Sequence, residues 1–318
     1  MRLVVQIPCL NEAETLPLVL KSIPKKIPGI DEIIILIVDD GSTDDTVKIA
    51  KAHGVTEFVH HARNQGLGRS FHHGINRALE LGADIVVNTD GDNQYPQAKI
   101  KDLVQPILRG EADIVIADRQ TQTIEHFSPL KKLLQRFGSY IVNIAAGTSI
   151  PDAPSGFRAY SKEALFRLNI VSRFSYTMET IIQAGNKRLA ITSIPVTTNP
   201  KLRESRLFNS MWEHIRKSMS AIVRAYIMYK PYAIFGSLAI FFLIIGLIPI
   251  VRFSYFALIE HNSRGHLQSL VLGSTLLVAA FLSFTLNIIA DLIRINRSLI
   301  EDNLEQTKRL RFLTQNKN

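Results

Sequence analysis

Ile85-Val86-Val87-Asn88-Thr89-Asp90-Gly91-Asp92-Asn93-Gln94-Tyr95-Pro96 is the stretch that decides the fold. Ile85 to Asn88 reads as a short buried strand, and it runs straight into two carboxylates parted by one glycine. In an extended segment, residues two apart project to the same side. Asp90 and Asp92 are therefore expected to converge on one divalent cation, with Gln94 adding a neutral oxygen. Hard oxygen ligands with few carboxylates suit Mg²⁺ or Mn²⁺ bound together with a diphosphate. Read alone, the same residues also describe a turn capped by acids.

The pattern repeats on either side. Val4 to Ile7, Ile33 to Val38, Glu57 to His60 and Ile114 to Ala117 read as further buried strands. Amphipathic stretches near 12–26, 44–53, 68–81 and 97–109 read as helices between them. Such alternation predicts an α/β domain with a mostly parallel sheet and right-handed crossovers, whose ligands sit at the carboxyl ends of the strands. Residues 119–130 read as a polar loop, and short strands are expected around Phe157 to Tyr160 and Ala190 to Val196.

Two more motifs fall at predicted strand ends. Ile7-Pro8-Cys9-Leu10-Asn11-Glu12 joins the first strand to the first helix, where a carboxylate such as Glu12 is favoured. Val38-Asp39-Asp40-Gly41-Ser42-Thr43-Asp44-Asp45-Thr46 follows the second strand. Its carboxylates can accept hydrogen bonds from a ribose or base, while Ser42 or Thr43 can cap the next helix. His60-His61 and His72-His73 invite a metal reading, but neighbours on a helix point about 100° apart and the second pair does not easily share an ion.

Beyond residue 204 the character changes. Leu207, Phe208, Met211, Trp212, Ile215, Met219, Ile222, Val223 and Tyr226 recur at helical spacing among Arg206, Arg216, Lys217, Arg224 and Lys230. Residues 205–230 thus read as a basic amphipathic helix in a membrane interface. About 232–251 and 267–290 are uncharged and each long enough to cross a bilayer. Basic residues flank this hairpin on one side, which predicts a multi-pass membrane protein with its catalytic domain and both termini cytoplasmic. The reading divides the chain into a catalytic domain at 1–204, the interfacial helix, a transmembrane pair within 231–290 and a basic cytoplasmic tail at 291–318.

The bulk properties agree. The formal net charge is +9, which suits an anionic partner. The basic residues cluster beside the spans, which argues against nucleic acid. A lone cysteine, Cys9, excludes an intrachain disulfide. Met1 to Pro8 is too short an apolar run for a secretory signal and reads as the first strand.

The three motifs, in this order, resemble the family 2 glycosyltransferases. The resemblance continues through Ala62-Arg63-Asn64-Gln65-Gly66-Leu67-Gly68, Ala117-Asp118-Arg119, Asp152-Ala153-Pro154-Ser155-Gly156-Phe157-Arg158-Ala159-Tyr160 and Arg203-Glu204-Ser205-Arg206, covering roughly residues 1–215. It is similar to the polyprenyl-phosphate branch, which includes the dolichyl-phosphate mannose synthases. The resemblance implies a GT-A-type nucleotide-sugar-binding fold and an inverting transfer of a hexose from GDP-mannose or UDP-glucose to a polyprenyl phosphate.

Carried onto this chain, the resemblance implies that Pro8, Leu10, Glu12, Val38 and Asp40 line the nucleoside pocket. Asp90, Gly91, Asp92 and Gln94 hold the metal and diphosphate. Arg119, Arg203 and Arg206 face phosphate groups, since guanidinium forks match phosphate oxygens. Ser155 and Arg158 lie near the reacting sugar and acceptor, and Asp152 helps place them. A lipid phosphate is already ionised near neutral pH, so no catalytic base is needed. A homo-oligomer is compatible with this reading. Two others stand beside it. A polysaccharide synthase would act on a saccharide acceptor, but its Gln-x-x-Arg-Trp motif is missing around Trp212, the sole tryptophan. An inactive membrane scaffold would not need the acidic and arginine motifs.

Overall fold

The computed structural model describes residues 1–121, 129–170, 176–200, 229–260 and 266–315, with isolated positions between 219 and 227 and backbone alone at 129–131 and 313–315. The chain divides into two units: residues 1–223 with 301–318, and residues 224–300.

The first unit is a seven-stranded sheet. Its strands are β1 (Arg2–Cys9), β2 (Glu32–Asp39), β3 (Glu57–His60), β4 (Ile85–Asn88), β5 (Ile114–Asp118), β6 (Arg158–Ser161) and β7 (Ile191–Pro195). The order across the sheet is β3-β2-β1-β4-β6-β5-β7. All neighbours pair in parallel except β6, which runs antiparallel to β4 and β5. The expectation of a mostly parallel α/β sheet is met.

Between the strands lie α1 (Leu16–Ser22), α2 (Thr46–Ala52), α3 (Leu67–Glu80), α4 (Ile100–Leu108), α5 (Pro129–Ala146), α6 (Lys162–Arg167) and α7 (Thr177–Asn186). Alternation along β1 sorts its side chains. Leu3, Val5, Ile7 and Cys9 join Leu16 and Val19 of α1 and Leu103 and Val104 of α4 in one apolar core. Gln6, on the opposite side, is fully buried and donates to Asn88 Oδ1 at 3.1 Å. A sheet covered on both faces explains why its strands read as continuous apolar runs.

The expected helix over 12–26 is shorter than its pattern. The amides of Thr15 and Leu16 both donate to the Glu12 carbonyl in a tight turn, and Pro24 cannot continue a helix. The expected helix over 97–109 opens as a tighter turn at Gln97–Lys99 before α4 begins.

The second unit holds two helices long and apolar enough to cross a membrane. Here α8 (Ser237–Leu258) follows a widely wound turn at Tyr232–Gly236, and α9 covers Leu267–Gln315. Both run past the uncharged stretches at 232–251 and 267–290. They meet where side chains vanish: a Cβ on Gly246 would lie 3.0 Å from Leu276 Cβ, and one on Gly273 would lie 2.7 Å from the Ile250 side chain. Small residues at a crossing let helices approach closely. Most of the expected interfacial helix at 205–230 lies outside the described residues.

Residues 291–318, expected as a basic tail, are helical as far as Gln315. From Glu301 onward the helix belongs to the first unit. Lys187 pairs with Glu301 at 3.0 Å, Arg309 with Glu163 and Glu305, and Arg311 with Glu80 at 2.8 Å. Phe312 is 1% exposed. These cations are therefore engaged by carboxylates of the α/β unit or of the helix itself.

Candidate functional site

The three acidic motifs meet at the carboxyl ends of β1, β2 and β4. The first two are keyed together by their backbones. The Asn11 amide donates to Ser42 Oγ at 3.0 Å, and Asn11 Oδ1 accepts the Thr43 amide at 2.8 Å. The Glu12 amide donates to Thr46 Oγ1 at 2.8 Å, and that of Ala13 to Asp44 Oδ2 at 3.1 Å. Burial pushes the Asp44 carboxyl upward, but hydrogen bonds from Thr46 and Ala13 outweigh it and hold Asp44 below the usual range.

The first and third motifs touch through Gly91. Thr15 Oγ1 donates to the Gly91 carbonyl at 2.8 Å and to Glu12 Oε2 at 3.0 Å. A Cβ at Gly91 would lie 3.1 Å from Glu12 Cγ and 3.2 Å from Cys9 Sγ, so any side chain there would push the motifs apart. Asp90 and Asp92 flank this glycine. Burial first, then the charges of Asp92 and Glu12, push the Asp90 carboxyl well above the usual range, against the pull of Arg119. Burial, with Glu12, Asp39 and Asp90 nearby, also pushes the Cys9 thiol up, which leaves it protonated and inert.

Asp92 is braced rather than loose. Its Oδ1 accepts the Gln94 amide at 3.1 Å, and its Oδ2 accepts Gln94 Nε2 at 2.7 Å. Gln94 thus turns its amide nitrogen to Asp92. It thereby braces that carboxylate in place. Asn199 ties the next segment to the same loop, its amide donating to the Gln94 carbonyl at 2.9 Å.

Arg119 and Asp152 form the opposite wall. Arg119 Nε and Nη2 donate to the two Asp152 oxygens at 2.7 and 2.8 Å, and the Arg119 amide adds a third bond at 3.1 Å. Asp152 is 2% exposed. Both its oxygens accept bonds from Arg119, so it fixes that guanidinium in place. Burial opposes the charge on Arg119, but Tyr95, Asp152 and Asp90 more than offset it and keep the guanidinium charged.

Three expected site residues turn inward. Arg158 is fully buried and donates to the carbonyls of Ser155, Ala153 and Thr177 and to Thr180 Oγ1, all at 2.6–2.8 Å. It folds the 153–156 segment. Ser155 is fully buried, and its Oγ has no hydrogen-bond partner among the described residues. Val38 is fully buried, its side chain against Gly74 of α3. Strand alternation sends it to the core, away from any pocket. Pro8, Leu10 and Glu12 are half-buried at the end of β1 and remain accessible. Arg203 and Arg206 lie outside the described residues.

Asp40 is a structural hub. It accepts His61 Nδ1 at 2.7 Å and the amides of Gln65 and Gly66 at 2.8 and 2.9 Å. This draws the 61–66 loop over Gly41, whose φ of +82° and 2.9 Å clearance from the Arg63 backbone admit no side chain. A cavity of about 480 Å³ opens there, lined by Arg63, Asn64, Gln65 and Arg69. His61 also bonds His73 at 2.8 Å, while His60 bonds Asp39 at 3.0 Å and His72 bonds Asn76 at 3.2 Å, so each histidine is engaged in hydrogen bonding.

The sequence reading missed Tyr95 and Tyr176. The Gly156 amide donates to the Tyr95 hydroxyl at 3.1 Å, and Tyr176 donates to the Gly156 carbonyl at 3.0 Å. A Cβ at Gly156 would lie 3.4 Å from Asp90 Oδ2, so the two tyrosines fix a peptide that walls the Asp90 carboxylate. Tyr95 directly follows the braced Gln94, which was the available signal; Tyr176 offered none.

Residues 4–168 match the sequence profile described as Glycosyl transferase family 2. A UDP-N-acetylglucosamine–dolichyl-phosphate N-acetylglucosaminyltransferase of Methanococcus voltae is 30% identical over 213 residues, covering 60% of this chain and 83% of that protein. A polyprenol monophosphomannose synthase of Mycolicibacterium smegmatis is 26% identical over 230 residues, covering 69% and 84%. Among solved structures, glucosyl-3-phosphoglycerate synthase from Mycobacterium tuberculosis, with Mn²⁺, UDP-glucose and phosphoglyceric acid, superposes with a TM-score of 0.53 at 25% identity, covering 70% and 79%. With more than half its length matched and the acidic motifs meeting at the strand ends, this chain belongs to glycosyl transferase family 2 and is a glycosyltransferase.

Proposed function

We propose that the protein transfers a hexose from a nucleotide-sugar to a polyprenyl phosphate at a membrane surface, as a metal-dependent inverting enzyme. The observation that carries the transfer reading is the acidic cluster of Asp90, Asp92 and Glu12, opposed by an Arg119 locked to Asp152. The residues fit a divalent cation of the Mg²⁺ or Mn²⁺ kind. Two carboxylates crowd one glycine, and no group of three His, Cys, Asp or Glu side chains among the described residues closes an all-protein cage. Magnesium-type sites are commonly of this sort, with one or two carboxylates and the substrate's phosphates completing the shell. Asp90 and Asp92 would hold the ion, and Gln94 would keep Asp92 aimed. When bound, the cation neutralises the charge developing on the diphosphate.

The chain's own contribution is placement. The accessible Pro8, Leu10 and Glu12 would border the nucleoside, with Asp40 shaping its pocket through the 61–66 loop. Arg119 would face a phosphate with the N–H groups that Asp152 leaves open. An acceptor phosphate oxygen would attack the anomeric carbon as the bond to the diphosphate breaks, and the nucleoside diphosphate would leave with the electron pair. That oxygen is already anionic, so no carboxylate needs to take a proton. The engagement of Asp152 with Arg119 is in keeping with this economy.

The lipid acceptor is supported by the two apolar helices and by the relatives that act on dolichyl phosphate and polyprenol. A second reading has its own observation: the structural relative from M. tuberculosis holds phosphoglyceric acid. Both acceptors present a phosphate. Purified full-length protein should be incubated with labelled UDP- and GDP-sugars, Mg²⁺ or Mn²⁺, and either polyprenyl phosphate or 3-phosphoglycerate. Radioactive glycolipid that disappears with EDTA is expected. Label transferred only to phosphoglycerate would replace the lipid reading with the second one.

A further inference from the structure

The carboxylate of Asp92 is aimed by a peptide plane whose other end is held from far along the chain. The Gln94 amide donates to Asp92 Oδ1 at 3.1 Å. It belongs to the same planar unit as the Asn93 carbonyl, and in a trans peptide the two groups point in opposite directions. The Asn93 carbonyl accepts Asn199 Nδ2 at 3.0 Å. Asp92 therefore closes one end of this plane and Asn199 the other.

Asn199 does more than touch that carbonyl. Its own amide donates to the Gln94 carbonyl at 2.9 Å, and its Nδ2 also reaches the Tyr95 carbonyl at 3.4 Å. Three consecutive carbonyls thus face one residue. Among the described residues, those of Asn93 and Gln94 accept from Asn199 alone. A side-chain amide nitrogen carries two N–H donors, which is what a pair of carbonyls on one side requires. The hold also opposes a strain. Asn93 sits at φ +59°, a left-handed conformation with a steric cost for a residue that has a Cβ. Such a conformation persists where its surroundings over-determine it.

The holder is itself fixed. Pro195 at the end of β7 lies in register with Asp118 of β5, and the Val196 amide donates to the Asp118 carbonyl at 2.8 Å. Val196 is buried in the apolar core. Arg119 follows Asp118 directly. The segment that carries Asn199 therefore starts beside the Arg119 wall of the site and reaches the Asp92 loop.

We infer that Asn199 is a positioning residue for the metal site. It sets the tilt of the 93–94 peptide and, through it, the direction in which Asp92 presents its carboxylate to the cation. The inference rests on the reading of Asp92 as a metal ligand. Gln94 braces Asp92 from within the loop, and Asn199 braces Gln94 from outside it.

Mn²⁺ titrations of the purified full-length protein test this, with UDP present and separately with GDP. Free Mn²⁺ is counted by its electron spin resonance signal. Asn199→Ala and Asn199→Leu should need about tenfold more Mn²⁺ for half-occupancy, the effect of losing one or two hydrogen bonds. Leucine fills much the same space as asparagine but its side chain donates nothing. Wild-type Mn²⁺ affinity in Asn199→Leu would therefore overturn the inference in favour of simple packing. Nucleotide affinity in EDTA, read by calorimetry, should stay at the wild-type value. An equal loss with and without the metal means general damage to the fold and also overturns it.

Asp92→Ala separates the two failures. If it binds Mn²⁺ as the wild type does, or if the wild type holds Mn²⁺ with neither nucleotide, the metal reading falls and the inference with it. If Asp92→Ala loses Mn²⁺ while both Asn199 variants keep it, the inference alone falls.

Discussion

The α/β unit and the helical unit use the same apolar residues in opposite ways. In the first, Leu3, Ile7, Phe71 and Phe157 are almost wholly buried. In the second, Ile240, Leu258 and Phe281 are 60%, 73% and 68% exposed. The first pattern is the ordinary response to water, in which each buried large side chain contributes about 1.5–3 kcal/mol. The second gains nothing from water. It becomes sensible where the solvent is itself apolar and helices associate through close contact, as at Gly246 and Gly273. On the proposed membrane reading, one chain carries two solvent assumptions, and the acidic motifs all belong to the unit built for water.

The largest expected effect tests whether chemistry resides in that unit alone. Asp92→Ala should lower transfer on the order of a thousandfold, since a charge-neutralising cation is worth several kcal/mol and about 1.4 kcal/mol is tenfold in rate. Circular dichroism should be unchanged, because Asp92 is only half-buried. Retained activity would remove the carboxylate pair from the mechanism. Next, Phe71→Ala should destabilise the α/β unit by about 3–5 kcal/mol in denaturant titrations. Phe281→Ala should change stability by less than about 0.5 kcal/mol, as expected of an exposed position. Similar losses at both sites would break the comparison.

A smaller effect probes the helical unit. Gly273→Ile forces atoms into the space taken by Ile250 and the Gly246 carbonyl, and overpacking of this kind costs about 1–3 kcal/mol. Nucleotide affinity, read by calorimetry, should not move. The smallest concerns acid stability. Burial, with Lys308 and His73 nearby, pushes His72 down from 6.5 to about 4. The unfolded chain then binds a proton that the folded one refuses. Stability is therefore lost as pH falls from about 6.5 toward about 4. His72→Leu should flatten that part of the melting-temperature profile.

Much of the fold was legible because strands buried on both faces leave unmistakable apolar runs, as at Ile33 to Val38 and Ile114 to Ala117. Helix α1 was overdrawn because Glu12 to Thr15 have helical composition, yet their backbone is held in a turn by Glu12 and Gly91. In the site, the convergence of Glu12, Asp90 and Asp92 could be read from their places at strand ends. The fates of Arg158 and Asp152 could not. An arginine and an aspartate in a ligand-rich motif look like substrate contacts, and only the folded chain reveals that Arg158 serves carbonyl groups and Asp152 serves Arg119. Val38 was assigned to a pocket by the family resemblance, although alternation along its strand sends its side chain to the core.

The bond from the Asn199 amide to the Gln94 carbonyl has two ends. Order imposed on the Asp92 loop by a bound donor is also order imposed on the chain leaving β7, and the reverse holds with equal free energy. A hydrogen bond between two loops thus acts as a shared account of conformational entropy.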